Sequence, residues 1–231
     1  KFLHAKQDLK ASADGRSLFV DSAELAKSIH AETSCAKCHS EVTPSLERAC
    51  ETIKSKVDCA VCHTEQVEDY KKSIHGKLHG EKNENAPFCS DCHGTHGVLD
   101  KKNMDSPTFP TNVPTLCARC HQENQKAAVL YKGAQHQITE NYNESIHGKG
   151  LLKSGLVVTA MCTNCHTAHK ELPASDPASS VNRNNIALTC ANCHKGVYEK
   201  YVQSIHSPKR SQQPDKVPVC SDCHTAHTIK R

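Results

Sequence analysis

The sequence predicts a mainly α protein with extensive coil, few or no strands, and a core that is not built from its own side chains. Three observations support this prediction. The motif C-x-x-C-H occurs seven times in 231 residues. The chain has no Trp, four Phe and five Tyr, and a hydrophobic fraction of 36%, too little for an ordinary core of this size. Segments such as TEQVEDYKKSIHG and KGVYEKYVQSIHS carry apolar residues at roughly helical spacing.

The C-x-x-C-H motif is the attachment signature of c-type haem, in which two thiols bond to the porphyrin and the adjacent His binds iron. Zinc would use two C-x-x-C pairs per ion, which leaves one pair over and does not explain the regular His. A disulfide scaffold is disfavoured because such closely spaced pairs cross-link poorly. The sequence therefore predicts seven covalently attached c-type haems, numbered here in chain order. They are held by Cys35 and Cys38, Cys59 and Cys62, Cys89 and Cys92, Cys117 and Cys120, Cys162 and Cys165, Cys190 and Cys193, and Cys220 and Cys223, with His39, His63, His93, His121, His166, His194 and His224 as proximal iron ligands.

One haem for roughly 33 residues implies that the haems form the core of a multihaem cytochrome c, and that folding depends on their attachment. Each ferric bis-His haem with two ionised propionates adds −1, so seven of them turn the formal charge of +4 into −3. The basic pI is therefore no evidence for nucleic acid as a partner. Aromatic residues interleaved with a basic stripe, which such binding favours, do not occur.

The chain shows no apolar run of 18 residues, so no membrane span is expected in it. It begins at Lys1 without a signal peptide, which indicates a processed form. Covalent haem attachment takes place outside the cytoplasmic membrane, so the predicted location is periplasmic or extracellular. Cys50 is the one cysteine outside the motifs, and we expect a free thiol rather than an intermolecular disulfide.

The motifs belong to an internal repeat that reads C-A-x-C-H, then Y-x-x-S-I-H, then C-x-x-C-H-x-x-H. Two copies span 38 residues each, and the middle copy spans 53. Linkers rich in Pro, Ser, Asn and Asp join the copies. The predicted domains are a half repeat with haem 1 (1–58), a first repeat with haems 2 and 3 (59–116), a second with haems 4 and 5 (117–189) and a third with haems 6 and 7 (190–231).

Several local features follow from the repeat. The middle copy has 14 extra residues, close to four helical turns, so we expect them to lengthen its helix. Gly76 and Gly148 stand where a glycine would follow a helix end. Asp21 or Ser22 is expected to cap the short helix AELAKSI. The tyrosines five residues before S-I-H are expected to pack on haem faces; they are Tyr70, Tyr142 and Tyr201.

Seven histidines outside the motifs recur at fixed places and match the seven haems in number. They are the S-I-H residues His30, His75, His147 and His206, and the C-H-x-x-H residues His96, His169 and His227. We therefore predict that all seven irons are low-spin and bis-His. Two strong axial ligands leave no place for a substrate, which favours electron transfer over catalysis. His4, His79 and His136 are left over as surface residues, with His79 and His136 as reserve ligands.

The distal histidines are predicted to bind haems of their own repeat. The chain cannot pass round a porphyrin edge in three residues, roughly 10 Å of backbone, so a C-H-x-x-H residue should bind the other haem of its repeat. On this scheme His96, His169 and His227 bind haems 2, 4 and 6, and His75, His147 and His206 bind haems 3, 5 and 7. His30 would bind haem 1 although only five residues separate it from Cys35, with His4 as its substitute.

The runs SIHG…PFCSDCHGTH and SLFVDSAELAKSIH, with the repeat itself, resemble the doubled C-x-x-C-H multihaem cytochromes c. These are bacterial electron carriers of respiratory chains, and they include haem domains of membrane cytochrome b/c complexes that take electrons from quinol. The resemblance covers nearly the whole chain. It implies an electron carrier rather than an enzyme, with redox partner proteins that include a membrane quinol-oxidising b-type cytochrome. The chain itself has no b-type membrane segment, so it is not expected to oxidise quinol alone.

The predicted function is electron transfer by a periplasmic or extracellular heptahaem cytochrome, acting as a conduit between redox partners of a respiratory chain. Two alternatives stay open. One is a multihaem reductase for nitrite, hydroxylamine or a sulfur oxyanion, which needs at least one haem with an open distal face. The other is a subunit of a conducting filament, in which chains associate through their end haems. The spin state of the oxidised irons separates the reductase from the electron carrier.

Overall fold

A computed structural model describes residues 19–41 and 57–230, so His4 and Cys50 lie outside the described residues. The described part consists of short helices joined by turns and coil and contains no strand, which confirms the predicted mainly α fold. The α-helices are α1 Ser22–Lys27, α2 Cys35–Cys38, α3 Thr64–Lys72, α4 Ile74–Gly80, α5 Cys89–His93, α6 Val113–His121, α7 Lys126–Leu130, α8 Ile138–Glu144, α9 Ile146–Gly148, α10 Cys162–His166, α11 Ile186–Ala191, α12 Lys195–Gln203 and α13 Cys220–His224. Single 3-10 turns cover Cys59–Val61, Pro208–Arg210 and Pro214–Lys216, and a π turn covers Lys149–Lys153.

The chain divides into two compact bodies. The first lies within residues 1–68 and 89–109, and the second within residues 69–88 and 110–231. The division into a half repeat and three dihaem repeats remains a prediction from the sequence.

Side chains alone do not build a core. Among residues 19–41 and 57–230, the buried apolar side chains are those of Val113, Leu151, Leu172 and Val219. Large apolar residues such as Val61, Met104 and Val158 are exposed instead. This distribution fits a fold whose interior is filled by another apolar group.

The first helix begins where its capping residue predicts. The Asp21 side chain accepts hydrogen bonds from the backbone N–H groups of Ala23 and Glu24, at 2.8 and 3.3 Å. These bonds satisfy two of the four N–H groups that the start of a helix leaves without a partner. The capping role predicted for Asp21 or Ser22 therefore falls to Asp21.

A tyrosine fixes the helix that precedes S-I-H in all three full repeats. Its hydroxyl donates to a backbone carbonyl two residues before the next C-x-x-C-H motif, in the pairs Tyr70–Pro87 (2.7 Å), Tyr142–Ala160 (2.9 Å) and Tyr201–Pro218 (3.3 Å). Its own carbonyl accepts from the S-I-H serine, in the pairs Ser73–Tyr70, Ser145–Tyr142 and Ser204–Tyr201. The tyrosine therefore anchors the segment that carries each distal histidine. The predicted packing of these rings on haem faces stays a prediction.

Gly76 and Gly148 do not end a helix, contrary to prediction. Gly76 lies inside α4 and Gly148 is the last residue of α9, and both helices begin directly after the S-I-H serine. A Cβ at Gly76 would lie 1.9 Å from the carbonyl oxygen of Tyr70, and one at Gly148 would lie 2.0 Å from that of Tyr142. Glycine is needed here because the two helices approach each other too closely for any side chain.

The extra residues of the second repeat do not lengthen its helix, which corrects the second expectation. Helix α6 ends at His121, and the insertion forms the separate helix α7 and a loop before α8. Gln137, directly before α8, has a φ of 51°, in the left-handed region. A left-handed residue interrupts a right-handed helix, so the added length becomes a loop and a short helix.

The two linkers fold alike despite their different sequences. Ser106 donates from its hydroxyl to the carbonyl of Leu99 at 3.4 Å, and Ser179 donates to that of Leu172 at 3.1 Å. Both serines are buried. Each linker is therefore a closed loop held by a buried serine, which supports the alignment of the repeats.

Candidate haem-binding sites

Every C-x-x-C-H motif forms a single helical turn. Five motifs lie within α2, α5, α6, α10 and α13, one begins at the 3-10 turn Cys59–Val61, and one starts near the end of α11. Helix residues three apart lie on the same face, so the turn brings the two thiols together with the His beside them. All fourteen motif cysteines are free of disulfides, which contradicts a disulfide scaffold.

The second cysteines of the motifs for haems 2, 3 and 4 differ in their exposure to solvent. Cys62 is exposed and follows the 3-10 turn directly, where its N–H donates to the carbonyl of Cys59 at 3.3 Å. Cys92 in α5 and Cys120 in α6 are both half-buried. The exposed Cys62 thiol departs from the expectation that haem-bonded thiols lie inside a core. Thioether attachment through Cys62, Cys92 and Cys120 therefore stays a prediction from their motifs.

Five proximal histidines each face a distal histidine across a nearly constant gap. The ring centroids are 6.0 Å apart in His30–His63 and His166–His227, and 6.1 Å apart in His39–His96, His75–His121 and His147–His194. The angle between the two ring planes, in contrast, ranges from 5° to 66°.

A fixed distance with a variable angle indicates that the rings do not touch each other but share something between them. A metal–imidazole bond is about 2 Å long, so two imidazoles on opposite sides of one metal ion would have centroids roughly 6 Å apart. Rotation about each bond changes the plane angle and leaves the distance unchanged. By comparison, His79 and Phe88, which stack directly, are 4.9 Å apart.

The donor set fits iron in a porphyrin rather than a bare ion. Within residues 19–41 and 57–230, no group of three or more His, Cys, Asp or Glu side chains is arranged to hold a metal ion. Each facing pair supplies two imidazoles, which are suitable ligands for iron. The other four positions of a six-coordinate iron would then belong to the porphyrin, which the adjacent thiols are placed to hold.

The pairs join neighbouring repeats, so the predicted pairing within repeats is wrong for these histidines. His96 faces His39 rather than His63, and His30 faces His63 rather than His39. The same correction applies to the second body, where His75 faces His121, His147 faces His194 and His227 faces His166. His169, predicted to serve the haem of His121, therefore does not face that ring.

A backbone contact explains the exchange. The isoleucine of S-I-H donates its N–H to the carbonyl two residues after the C-H-x-x-H histidine of the next repeat. The three bonds are Ile29–Val98 (2.8 Å), Ile74–Glu171 (2.9 Å) and Ile146–Ile229 (2.8 Å). Each bond brings two segments of adjacent repeats side by side, so that each is positioned to give its distal histidine to the other repeat.

One sequence signal could have revealed this arrangement. His30 and Cys35 are only five residues apart, which is a short reach for a ligand that must lie on the opposite face of the same porphyrin. The half repeat has an S-I-H without a first haem, and it has a haem without a C-H-x-x-H histidine. Both facts fit ligand exchange with the next repeat, but the match in number drew the prediction to self-contained repeats.

Burial keeps the facing rings of the second body in the form that binds metal. Desolvation lowers the pKa of His75, His121, His147 and His227, and it lowers that of His166 to about 4. A buried imidazolium loses its hydration, so the neutral ring is favoured. Only the neutral ring has a free lone pair for iron.

The thiols of the two motifs within a repeat lie close together. Burial and the nearby Cys59 thiol raise the pKa of Cys89 to about 11, and burial and Cys220 do the same for Cys190. In the second repeat, the Cys162 side chain raises the pKa of Cys117. Two haems held through adjacent sulfurs would be close neighbours. The charge of Cys193 also raises the pKa of Cys165 after the effect of burial, so haems 5 and 6 would be neighbours as well.

A carboxyl group adjoins one of the distal ligands. The Oε2 atom of Glu171 lies 3.8 Å from Nδ1 of His75, and both side chains are largely buried. Burial raises the pKa of Glu171 to about 7. The corresponding residues of the other repeats are Val98 and Ile229, which carry no charge. Haem 4 would therefore differ from its relatives in the partner of its distal imidazole.

The other predicted ligands divide into two groups. His79 packs against Phe88 and Tyr70, and His136 packs against Tyr131, as surface residues outside the ligand set would. His206 and His224 face no ring within the described residues, so their predicted pairing within the third repeat is not formed here.

Comparison with known families gives one match. A family model described as outer membrane cytochrome MtrC/MtrF-like, domains II/IV, matches residues 27–207, more than three quarters of the chain. The match covers six of the seven C-x-x-C-H motifs and all five facing pairs except His227. Among the described residues, no helix is long and apolar enough to span a membrane.

Proposed function

The chain belongs to the outer membrane cytochrome MtrC/MtrF-like family, domains II/IV, and is therefore a multihaem c-type cytochrome of electron transport. From this premise we propose that it binds seven haems and conducts electrons along them between redox partner proteins. The fourteen motif cysteines hold the haems covalently, and the motif histidines are their proximal ligands. The bound haems supply one-electron chemistry, and the polypeptide supplies their spacing and axial ligands.

The observation that carries this proposal is the set of five facing pairs at 6.0 to 6.1 Å. Each pair would close both faces of one haem, which denies a substrate access to that iron. Bis-His iron also changes geometry little between its two oxidation states. The reductase alternative would need an open iron, and these five sites would not provide one.

Exchange of ligands between repeats serves conduction in a specific way. In each exchange, one repeat holds a haem through its thiols and the neighbouring repeat holds the same iron through an imidazole. Haems of adjacent repeats are then tied into one array rather than resting in separate modules. His169 and His206 remain proposed axial ligands in addition to the five distal residues of the facing pairs.

The proposed location is outside the cytoplasm, which the description of the family as outer membrane cytochromes supports. The proposed partners are redox proteins on either side of the haem array. A membrane quinol-oxidising b-type cytochrome is the electron donor that the sequence resemblance favours.

A reductive titration tests the proposed function. The oxidised holoprotein should accept seven electrons per chain, and the reduced protein should pass them to an external acceptor such as ferric citrate. Turnover of nitrite or hydroxylamine well above that of a free haem peptide would instead favour the reductase.

The number of haems can be checked through the thiols. We expect the mass of the holoprotein to include seven haems, and only Cys50 to react with a maleimide after denaturation, because the other fourteen cysteines are thioethers. Apo chain labelled under the same conditions is the control and should react at all fifteen positions. Labelling of Cys62, Cys92 or Cys120 in the holoprotein would mean that the motif of haem 2, 3 or 4 is empty.

Glu171 should lower the reduction potential of haem 4. The variant Glu171→Val, which introduces the residue found in the first repeat, should raise the potential of one haem by up to roughly 100 mV, because a unit charge about 7 Å from iron interacts by about 2.4 kcal/mol at an effective dielectric of 20. Val98→Ile is the matched control at the equivalent position and should leave all potentials unchanged. An unshifted titration curve for Glu171→Val would contradict the assignment of His75 to haem 4.

A further inference from the structure

The third repeat lacks the contacts that occupy the same elements elsewhere in the chain. Ile29, Ile74 and Ile146 each donate a backbone hydrogen bond to a following repeat, whereas the N–H of Ile205 has no such partner within the described residues. The Ile205 side chain is 82% exposed, against 55%, 37% and 41% for the other three. The S-I-H segment of the third repeat is therefore an unoccupied copy of a contact that the chain makes three times.

The two histidines of this repeat are unmatched in the same way. His206 is the equivalent of His30, His75 and His147, which all face the proximal histidine of a following repeat. His224 is the equivalent of His39 and His166, which face a C-H-x-x-H histidine of a following repeat. Within the described residues no ring faces His206 or His224, and both side chains are exposed.

We propose that the third repeat is an axial-ligand exchange site for a second multihaem c-type cytochrome. His206 would bind the iron of a partner haem, and the haem on Cys220 and Cys223 would accept a histidine of the partner opposite His224. The inference rests on the proposed function, since it needs a haem at this motif.

The chemistry of the partner follows from the contacts inside the chain. In each internal exchange the following repeat presents a C-A-x-C-H haem for the S-I-H histidine. It also presents a C-H-x-x-H histidine for the preceding haem, and a carbonyl two residues beyond that histidine for the isoleucine N–H. A partner with one doubled C-x-x-C-H repeat offers all three groups at the spacing that Ile205, His206 and His224 require. A second copy of this chain is a weaker occupant, because the facing pairs already use the corresponding groups of its first and second repeats.

Such an exchange would make the contact between two cytochromes a pair of coordinate bonds rather than a surface encounter. Electrons would pass from haem 7 to the partner through haems that each protein helps to ligate. The third repeat would then be one terminus of the conduit.

Two spectroscopic probes test the proposal on the isolated holoprotein. The ferric protein should contain one high-spin haem per chain, and free imidazole, standing in for the partner histidine, should convert that haem to the low-spin form. A haem octapeptide, which carries a c-type haem with one open axial position, should bind once per chain and become low-spin. His206→Ala should abolish binding of the peptide, and His136→Ala, which removes another exposed histidine, should leave it intact.

Several outcomes would overturn the proposal. An entirely low-spin monomer, or a high-spin haem that appears only in His206→Ala, would mean that the third repeat closes its own haem. Low-spin spectra found only in a sedimenting dimer would assign the site to a second copy of this chain. A peptide carrying Cys220 and Cys223 without the mass of a haem would instead refute the proposed function at this motif, so the two failures are distinguishable.

Discussion

Without haem, the chain is expected to remain unfolded. Ordering the backbone costs at least about 1 kcal/mol per residue. Among the described residues, the buried apolar side chains that could offset this cost are only Val113, Leu151, Leu172 and Val219. The helices are also too short to be stable by themselves, since isolated helices below about 12 residues are marginal in water.

The prediction can be checked on chain produced in the cytoplasm, where haem is not attached. Its far-ultraviolet circular dichroism should lack helical signal, and its backbone amides should exchange with solvent without protection. The holoprotein of the same sequence is the control and should show both. Native-like dichroism from the apo chain would contradict a haem-packed core.

Replacing two histidines that share an iron should affect one haem, and replacing two that serve different irons should affect two. His227→Ala should convert one haem to the high-spin form. The double variant His166→Ala/His227→Ala should convert no more than one, because both rings belong to haem 5. The double variant His194→Ala/His227→Ala should convert two, because His194 belongs to haem 6. Electron paramagnetic resonance counts these spins relative to the unsubstituted protein.

The two double variants are controls for each other, because each removes His227 and one proximal histidine while leaving all thioether bonds intact. Pairing within repeats predicts the opposite counts, two for the first variant and one for the second. The same comparison can be made in the first body with His96, using His39 and His63 as its possible partners. A result of two high-spin haems for His39→Ala/His96→Ala would contradict the exchange there.

The composition and the motifs were sufficient to predict the fold class. Low apolar content with seven C-x-x-C-H motifs left haem as the only available core, and the helices begin and end near the expected residues. Asp21, for example, caps α1 because a carboxylate before an apolar run satisfies free N–H groups wherever it occurs. Such local rules depend on a few neighbouring residues, which the sequence displays directly.

The pairing of ligands could not be predicted from the same rules. Counting shows that seven recurring histidines match seven haems, but it does not show which repeat receives each ring. That choice depends on long-range backbone contacts such as the bond from Ile146 to Ile229, which unite segments 83 residues apart. The roles of Gly76 and Gly148 were missed for a related reason, because the close approach of two helices is not visible in either helix alone.

The most direct test of ligand exchange is an experimental structure of the haem-loaded chain that resolves the iron–nitrogen bonds of haem 5. The account predicts that His166 and His227 bind opposite faces of the iron held by Cys162 and Cys165, each at about 2 Å. It makes the equivalent prediction for His39 and His96 on haem 1. A bond from His227 to the iron held by Cys190 and Cys193 would contradict it.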